Sequence, residues 1–177
     1  ELLTALFLDT AQQVKDGAYA DLQLVIPAAN EARYQQIQSV LAAKPRLNAR
    51  LIMGKSHRAM EAADAVLLAS GTTALEAMLL KKPMVVSYRF GALTYAVLSL
   101  LVKTPYASIP NLLANKMLVP ELIQNQASIE NLSAAVIDAL DPVDRERLHN
   151  EFTHLQKQLA VDSGTTAANA IKALLCQ

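Results

Sequence analysis

The chain has 177 residues, 53% of them hydrophobic and 18% charged, and its sixteen basic and sixteen acidic side chains cancel. So much apolar content with so little charge excludes a disordered segment, and the even charge balance excludes a broad cationic face for nucleic acid. A lone cysteine, Cys176, excludes a disulfide framework and a zinc cage.

The length suits one domain, or a small domain plus an appendage. The first residues, Glu1 to Leu8, already lie inside a helical pattern without a leading methionine, so the expectation is a piece of something longer. Leu2, Leu3, Leu6, Phe7 and Val14 recur at helical spacing, and Gly17 is a stop signal. Leu22–Ile26 reads as a buried strand ended by Pro27. Asn30 caps a second helix carrying Tyr34, Ile37, Val40 and Leu41. Arg50–Met53 is a second strand closed by Gly54, and a short helix over Ser56–Ala62 leads to a third strand, Ala65–Ala69. Thr72–Leu80 is helical, and Pro83–Ser87 is a fourth strand. Continuous apolar strands separated by helices indicate a parallel sheet covered on both faces, a Rossmann-like α/β unit.

Between Arg89 and Lys103 lies the most apolar stretch, Ala92–Val102. It is about half the roughly 20 residues that a spanning helix needs, so it reads either as a buried helix or as one lying on a membrane surface. After Ser128 the pattern is helical only. Ile129, Leu132, Val136, Ile137 and Leu140 share one face. Asp141-Pro142 reads as a cap with proline at the first helical position, starting a helix with Leu148, Phe152, Leu155 and Leu159. Gly164 precedes a last short helix ending near Leu175.

Several motifs carry less chemistry than they suggest. Gly54-Lys55-Ser56 follows a strand like the end of a P-loop, but Ala49 stands where that motif needs its first glycine. No G-x-G-x-x-G occurs. His149 and His154 are five apart and point to different helix faces, and no Asp-x-Asp pair is present to hold magnesium on a diphosphate, so no metal or cofactor is expected. Ser70-Gly71-Thr72-Thr73-Ala74 recurs as Ser163-Gly164-Thr165-Thr166-Ala167. Only the first copy sits between a buried strand and a helix, where N–H groups face the ligand crevice of a parallel sheet. The second reads as a helix cap.

At the first copy Gly71 lets a phosphate approach the backbone, and Thr72 and Thr73 add hydroxyls to the positive end of a helix dipole. Glu76, one turn on, is either a ribose acceptor or a solvated carboxylate. Arg89 closes the fourth strand, as a diphosphate clamp or a surface arginine. Ile109–Asn115 reads as a loop in which Asn111 offers a donor and an acceptor to a sugar or forms a turn.

Four segments taken in order, Ala69–Met78, Lys82–Arg89, Leu101–Tyr106 and Ile109–Ala114, followed by Val119–Gln124, together resemble the lipid-A-disaccharide synthase family. The resemblance implies the donor-binding half of a GT-B fold, followed by C-terminal helices. Residues 1–127 would be the Rossmann-like UDP-sugar-binding domain, and 128–177 a helical segment packing on it or on an absent amino-terminal half. It implies condensation of UDP-2,3-diacylglucosamine with 2,3-diacylglucosamine 1-phosphate, with the acceptor site and general base in that other half and no turnover by this chain alone. It further implies a cytoplasmic location at the inner-membrane surface, and a homodimer swapped through the carboxyl-terminal segment. By position, Arg89 and Asn111 match catalytic residues of the donor site. Ser70, Gly71, Thr72 and Thr73 match the phosphate turn, Glu76 the ribose acid, and Gly54 a position near the uracil. Glu121 and Gln124 fall beside the site. The competing expectations are another GT-B enzyme acting on a UDP-sugar, either the peptidoglycan N-acetylglucosaminyltransferase or an epimerase, and a non-catalytic nucleotide-sugar module.

Overall fold

Local signals start and stop most elements. A computed structural model describes residues 2–69, 71–91, 104–141, 143, 145–160 and 171–172. Helix α1 (Leu2–Gly17) buries Leu6 against Val85 and Leu132, packs Leu8 and Ala11 in a separate cluster with Leu47, and closes as Ala18 and Tyr19 donate to the Val14 carbonyl. Strand β1 (Leu24–Ala28) follows. The Asn30 side chain then accepts from the Arg33 N–H at 3.0 Å, capping α2 (Glu31–Ala42). Next come β2 (Ala49–Met53), α3 (Ser56–Ala62), β3 (Val66–Leu68), α4 (Thr72–Leu79) and β4 (Met84–Tyr88). Beyond residue 103 lie α5 (Ile109–Ala114), β5 (Glu121–Ile123), a 3₁₀ turn over Gln124–Gln126, α6 (Ile129–Leu140) and α7 (Arg145–Leu159). Ser128 caps α6 by accepting from the Asn131 N–H at 3.2 Å.

The α/β class holds, with parallel strands flanked by helices, but the course of the chain differs from the sequence reading at four places. First, Pro27 lies inside β1 rather than ending it. Leu24 donates to the Asn48 carbonyl and Ala28 accepts from Gly54, so alternate residues point their main chain at β2. The missing N–H of Pro27 therefore falls on the edge away from β2. Second, a three-residue strand, β5, escaped notice because it is too short for a period. Third, Ile109–Ala114 is a helix and not a loop. Fourth, α7 starts at Arg145 and not at Pro142. Asp141 precedes a proline and is extended (φ −66°, ψ 129°), and its carboxylate accepts from the Val143 N–H at 2.9 Å. Ser70, Pro142, the apolar segment 92–102 and the second repeat at 163–167 lie outside the described residues, and the last helix is described only at 171–172.

Among the described residues the strands form two parallel sheets, β1–β2 and β3–β4–β5, instead of one. A cavity of about 1220 Å³ lies between Leu24–Ile26 of β1 and Val66–Leu67 of β3, roofed by Phe7 of α1 and Val136 of α6. Strand β4 is buried on both faces. Met84 and Val86 pack with Met78, Val119, Leu148 and Phe152 under α4 and α7. Val85 points the other way, to Leu6 of α1 and Leu132 of α6.

Phe152 is fully buried in the first of these clusters. Phe152→Ala should lower the unfolding free energy by about 3–5 kcal/mol, read as a fall in the urea midpoint at an unchanged slope.

Candidate functional site

Parallel pairing brings the carboxyl ends of β3, β4 and β5 to one edge, with Tyr88 beside Ile123. Helix α4 begins there. Gly71 holds φ +66° and ψ −135°, and a Cβ at that position would meet nothing within 4 Å, so the position requires glycine for its backbone conformation and not for space. The first bond of the helix runs from the Ala74 N–H to the Gly71 carbonyl at 3.1 Å. The N–H groups of Thr72 and Thr73 precede any intrahelical acceptor and stand at the positive end of the helix. Thr72 is exposed and Thr73 half-buried. The Gly71 N–H donates to the Tyr88 hydroxyl at 3.2 Å. Glu76 is exposed on the same helix.

Two further residues from the sequence reading sit on the adjacent strand ends. Arg89 is exposed, and its Nη2 donates to the Ala127 carbonyl at 2.6 Å, which fixes one end of a five-donor group. The Gln124 amide closes on the Phe90 backbone, accepting from its N–H at 2.8 Å and donating to its carbonyl at 3.2 Å.

Asn111 and Glu121 are buried, and they bond to each other at 2.7 Å. Asn111 Nδ2 also donates to the Val119 carbonyl at 2.8 Å, while its Oδ1 accepts from the N–H groups of Leu118 and Val119 at 2.8 and 3.0 Å. All four of its hydrogen-bonding positions are taken by protein. The Glu121 carboxylate accepts in addition from Ala107 N–H at 2.7 Å, Ser108 N–H at 2.8 Å and Ser108 Oγ at 2.6 Å. As described, these two side chains hold the entry to α5 against β5, and Asn111 keeps no free position for a ligand. Gly54 lies apart. It ends β2 at φ +60° and donates to the Ala28 carbonyl at 2.8 Å, and among the described residues no hydrogen bond joins its turn to Gly71 or Arg89.

Ser108, Tyr88 and Phe90 were not singled out from sequence. For Ser108 a signal existed: serine at the cap position, Pro110 in the first turn and Asn115 left-handed at the end (φ 50°) bracket α5 as start and stop residues do. Nothing local marks the two aromatic residues. Among the described residues no group of three His, Cys, Asp or Glu side chains is placed to hold a metal, and no helix is long and apolar enough to cross a membrane.

A family model described as lipid-A-disaccharide synthetase matches residues 1–173. The chain belongs to that family. It is 47% identical over 176 residues to a lipid-A-disaccharide synthase of Saccharophagus degradans, an alignment covering 99% of this chain and 45% of the relative. It is also similar to proteins of the same name from Pseudomonas aeruginosa (46% over 176 residues, 98% and 45%) and Pasteurella multocida (47% over 177 residues, 97% and 45%). The chain thus spans about 45% of the length of these lipid-A-disaccharide synthases.

The saturated Asn111 makes a definite expectation. Asn111→Ala strands buried donors and acceptors on Val119 and Glu121, and should destabilise the fold by about 3 kcal/mol or more. Thermal melting checks this. An unchanged melting temperature would mean that Asn111 does not hold the fold together.

Proposed function

We propose that this chain is the donor-binding part of a lipid-A-disaccharide synthase, a glycosyltransferase of lipid A biosynthesis. The observation that carries the reading is the family match over nearly the whole chain. What supports it further is a glycine-threonine turn at the carboxyl edge of a parallel sheet, with an arginine on the next strand.

In this reading the donor is UDP-2,3-diacylglucosamine. Its diphosphate lies at Gly71–Thr73, Ser70 contributes to the same turn, and Glu76 accepts from the ribose hydroxyls. Gly54 lies toward the uracil. The acceptor, 2,3-diacylglucosamine 1-phosphate, and the general base belong to an amino-terminal half, so that this chain by itself turns over nothing. As the 6-hydroxyl of the acceptor attacks the anomeric carbon and the bond to UDP breaks, negative charge grows on the diphosphate. N–H groups already fixed at the start of α4, together with the remaining Arg89 donors, meet that charge without reorganising. Asn111 and Glu121 act behind the site by holding β5 and α5 in place. Residues 1–127 form the nucleotide-sugar unit and 128–177 a helical segment, exchanged between subunits of a homodimer. Substrates carrying acyl chains place the protein on the cytoplasmic surface of the inner membrane.

The direct test is formation of labelled disaccharide from the two acylated substrates by this chain joined to a synthase amino-terminal half. In that protein Arg89→Ala should cost about 2–4 kcal/mol of transition-state stabilisation, comparable to losing an oxyanion donor, and leave the melting temperature nearly unchanged. Wild-type turnover by a folded Arg89→Ala protein would remove Arg89 from this role.

A further inference from the structure

Among the described residues the Gly71 N–H donates to a side chain and not to backbone, to the hydroxyl oxygen of Tyr88 at 3.2 Å. A phenol oxygen that accepts from an N–H still has its own proton to donate. Among the described residues the Tyr88 hydroxyl proton has no protein acceptor. The hydroxyl is bonded at Gly71, immediately before the first-turn N–H groups of Thr72 and Thr73, which likewise have no acceptor among the described residues.

The ring that carries this hydroxyl is held from the far side of the edge. Tyr88 stacks on Phe90, with ring centroids 5.8 Å apart and planes 18° from parallel. Phe90 is at the solvent edge, where a lone aromatic ring would turn freely, but both of its main-chain polar groups are clamped by the Gln124 amide. Gln124 itself is left-handed, at φ +52°, a conformation that a non-glycine residue adopts at a cost. The strained residue is thus the one whose side chain fixes Phe90. A continuous line of contacts runs from the end of β5 through Phe90 and Tyr88 to the backbone of Gly71.

We propose that Tyr88 is a further anion-binding residue of this edge, donating its hydroxyl proton to the diphosphate of a nucleoside diphosphate. Phe90 and Gln124 are positioning residues that hold Tyr88 in register with Gly71. The inference rests on the reading of Gly71–Thr73 as the diphosphate site.

The test is a titration of the isotope-labelled chain with UDP, following the amide signals of Gly71, Thr72 and Thr73. Tyr88→Phe keeps the ring and removes only the hydroxyl. It should bind UDP about ten-fold more weakly at nearly the wild-type melting temperature. Phe90→Ala should shift the Gly71 amide in the free protein and weaken UDP to a similar degree, whereas Phe90→Tyr, which restores the stack, should bind as wild type. Gln124→Ala should behave like Phe90→Ala. If UDP moves the turn in the wild-type chain but titrates Tyr88→Phe with equal or greater affinity, Tyr88 is no donor and this inference fails alone. If UDP leaves the turn of the wild-type chain untouched, the reading of the diphosphate site fails and takes this one with it. Should Tyr88→Phe not fold, equal UDP affinity of Phe90→Ala and Phe90→Tyr would overturn the proposal.

Discussion

The Glu121 carboxylate is nearly removed from water, and the carboxyl edge of the sheet is built around what satisfies it. Burying a charge without partners costs far more than a domain's net stability can absorb. Here four donors, the N–H groups of Ala107 and Ser108, the Ser108 hydroxyl and the Asn111 amide, surround it at 2.6–2.8 Å. Because Glu121 is the first residue of β5, satisfying it also fixes that strand beside β4, Val86 opposite Glu121 and Tyr88 opposite Ile123. Gln124 follows directly, and with it the clamp on Phe90. A buried network at the start of β5 is thus joined, through Gln124, Phe90 and Tyr88, to the glycine turn.

Cations are used differently at the two ends of the sheet. Ahead of β3 and β4, Lys82 caps the end of α3 through the Glu61 and Ala63 carbonyls at 2.7 and 2.9 Å. Lys81 reaches the Phe152 carbonyl and the Gln156 side chain, and burial holds its ammonium below the usual lysine range. Arg145 pairs with Asp64 at 3.5 Å and donates to the Leu140 carbonyl at 3.3 Å. These side chains close helix ends and join α7 to the sheet. At the opposite edge Arg89 makes one hydrogen bond among the described residues, to Ala127, and the α4 backbone offers the first-turn N–H groups. The lysine and arginine end is not sealed: Lys81, Lys82, Arg145 and His149 line a pocket of about 330 Å³, and the buried Arg145 Nε has no partner among the described residues.

Much of this was legible from residue order. Asn30 and Ser128 cap the helices they precede, as their side chains dictate, and Ser56–Ala62 is helical over the expected span. The apolar runs became parallel strands, because strands buried on both faces need no alternation. Gly71 has the backbone that its place between strand and helix requires. The misreadings have physical causes as well. In the sequence Pro27 reads as a stop, but its missing N–H is harmful only on a paired edge, and which edge is paired is not a local property. Ile109–Ala114 looked like a loop because Pro110 and Asn111 are usually turn residues, although Pro110 sits where a first helical turn tolerates it.

Short-range chemistry thus determined the α/β class, the helix caps, the glycine turn and, through its motifs, the family. How far a polar side chain is taken up by the protein itself was decided only by tertiary structure. Asn111 and Arg89 both read as donor-site groups in the sequence. Among the described residues, Asn111 makes four hydrogen bonds to protein and Arg89 one. The pairing of Tyr88 with Gly71 spans seventeen positions and follows no period. Such contacts depend on which strand ends meet at the edge, and strand order is set by the packing of the whole chain and by no single segment of it.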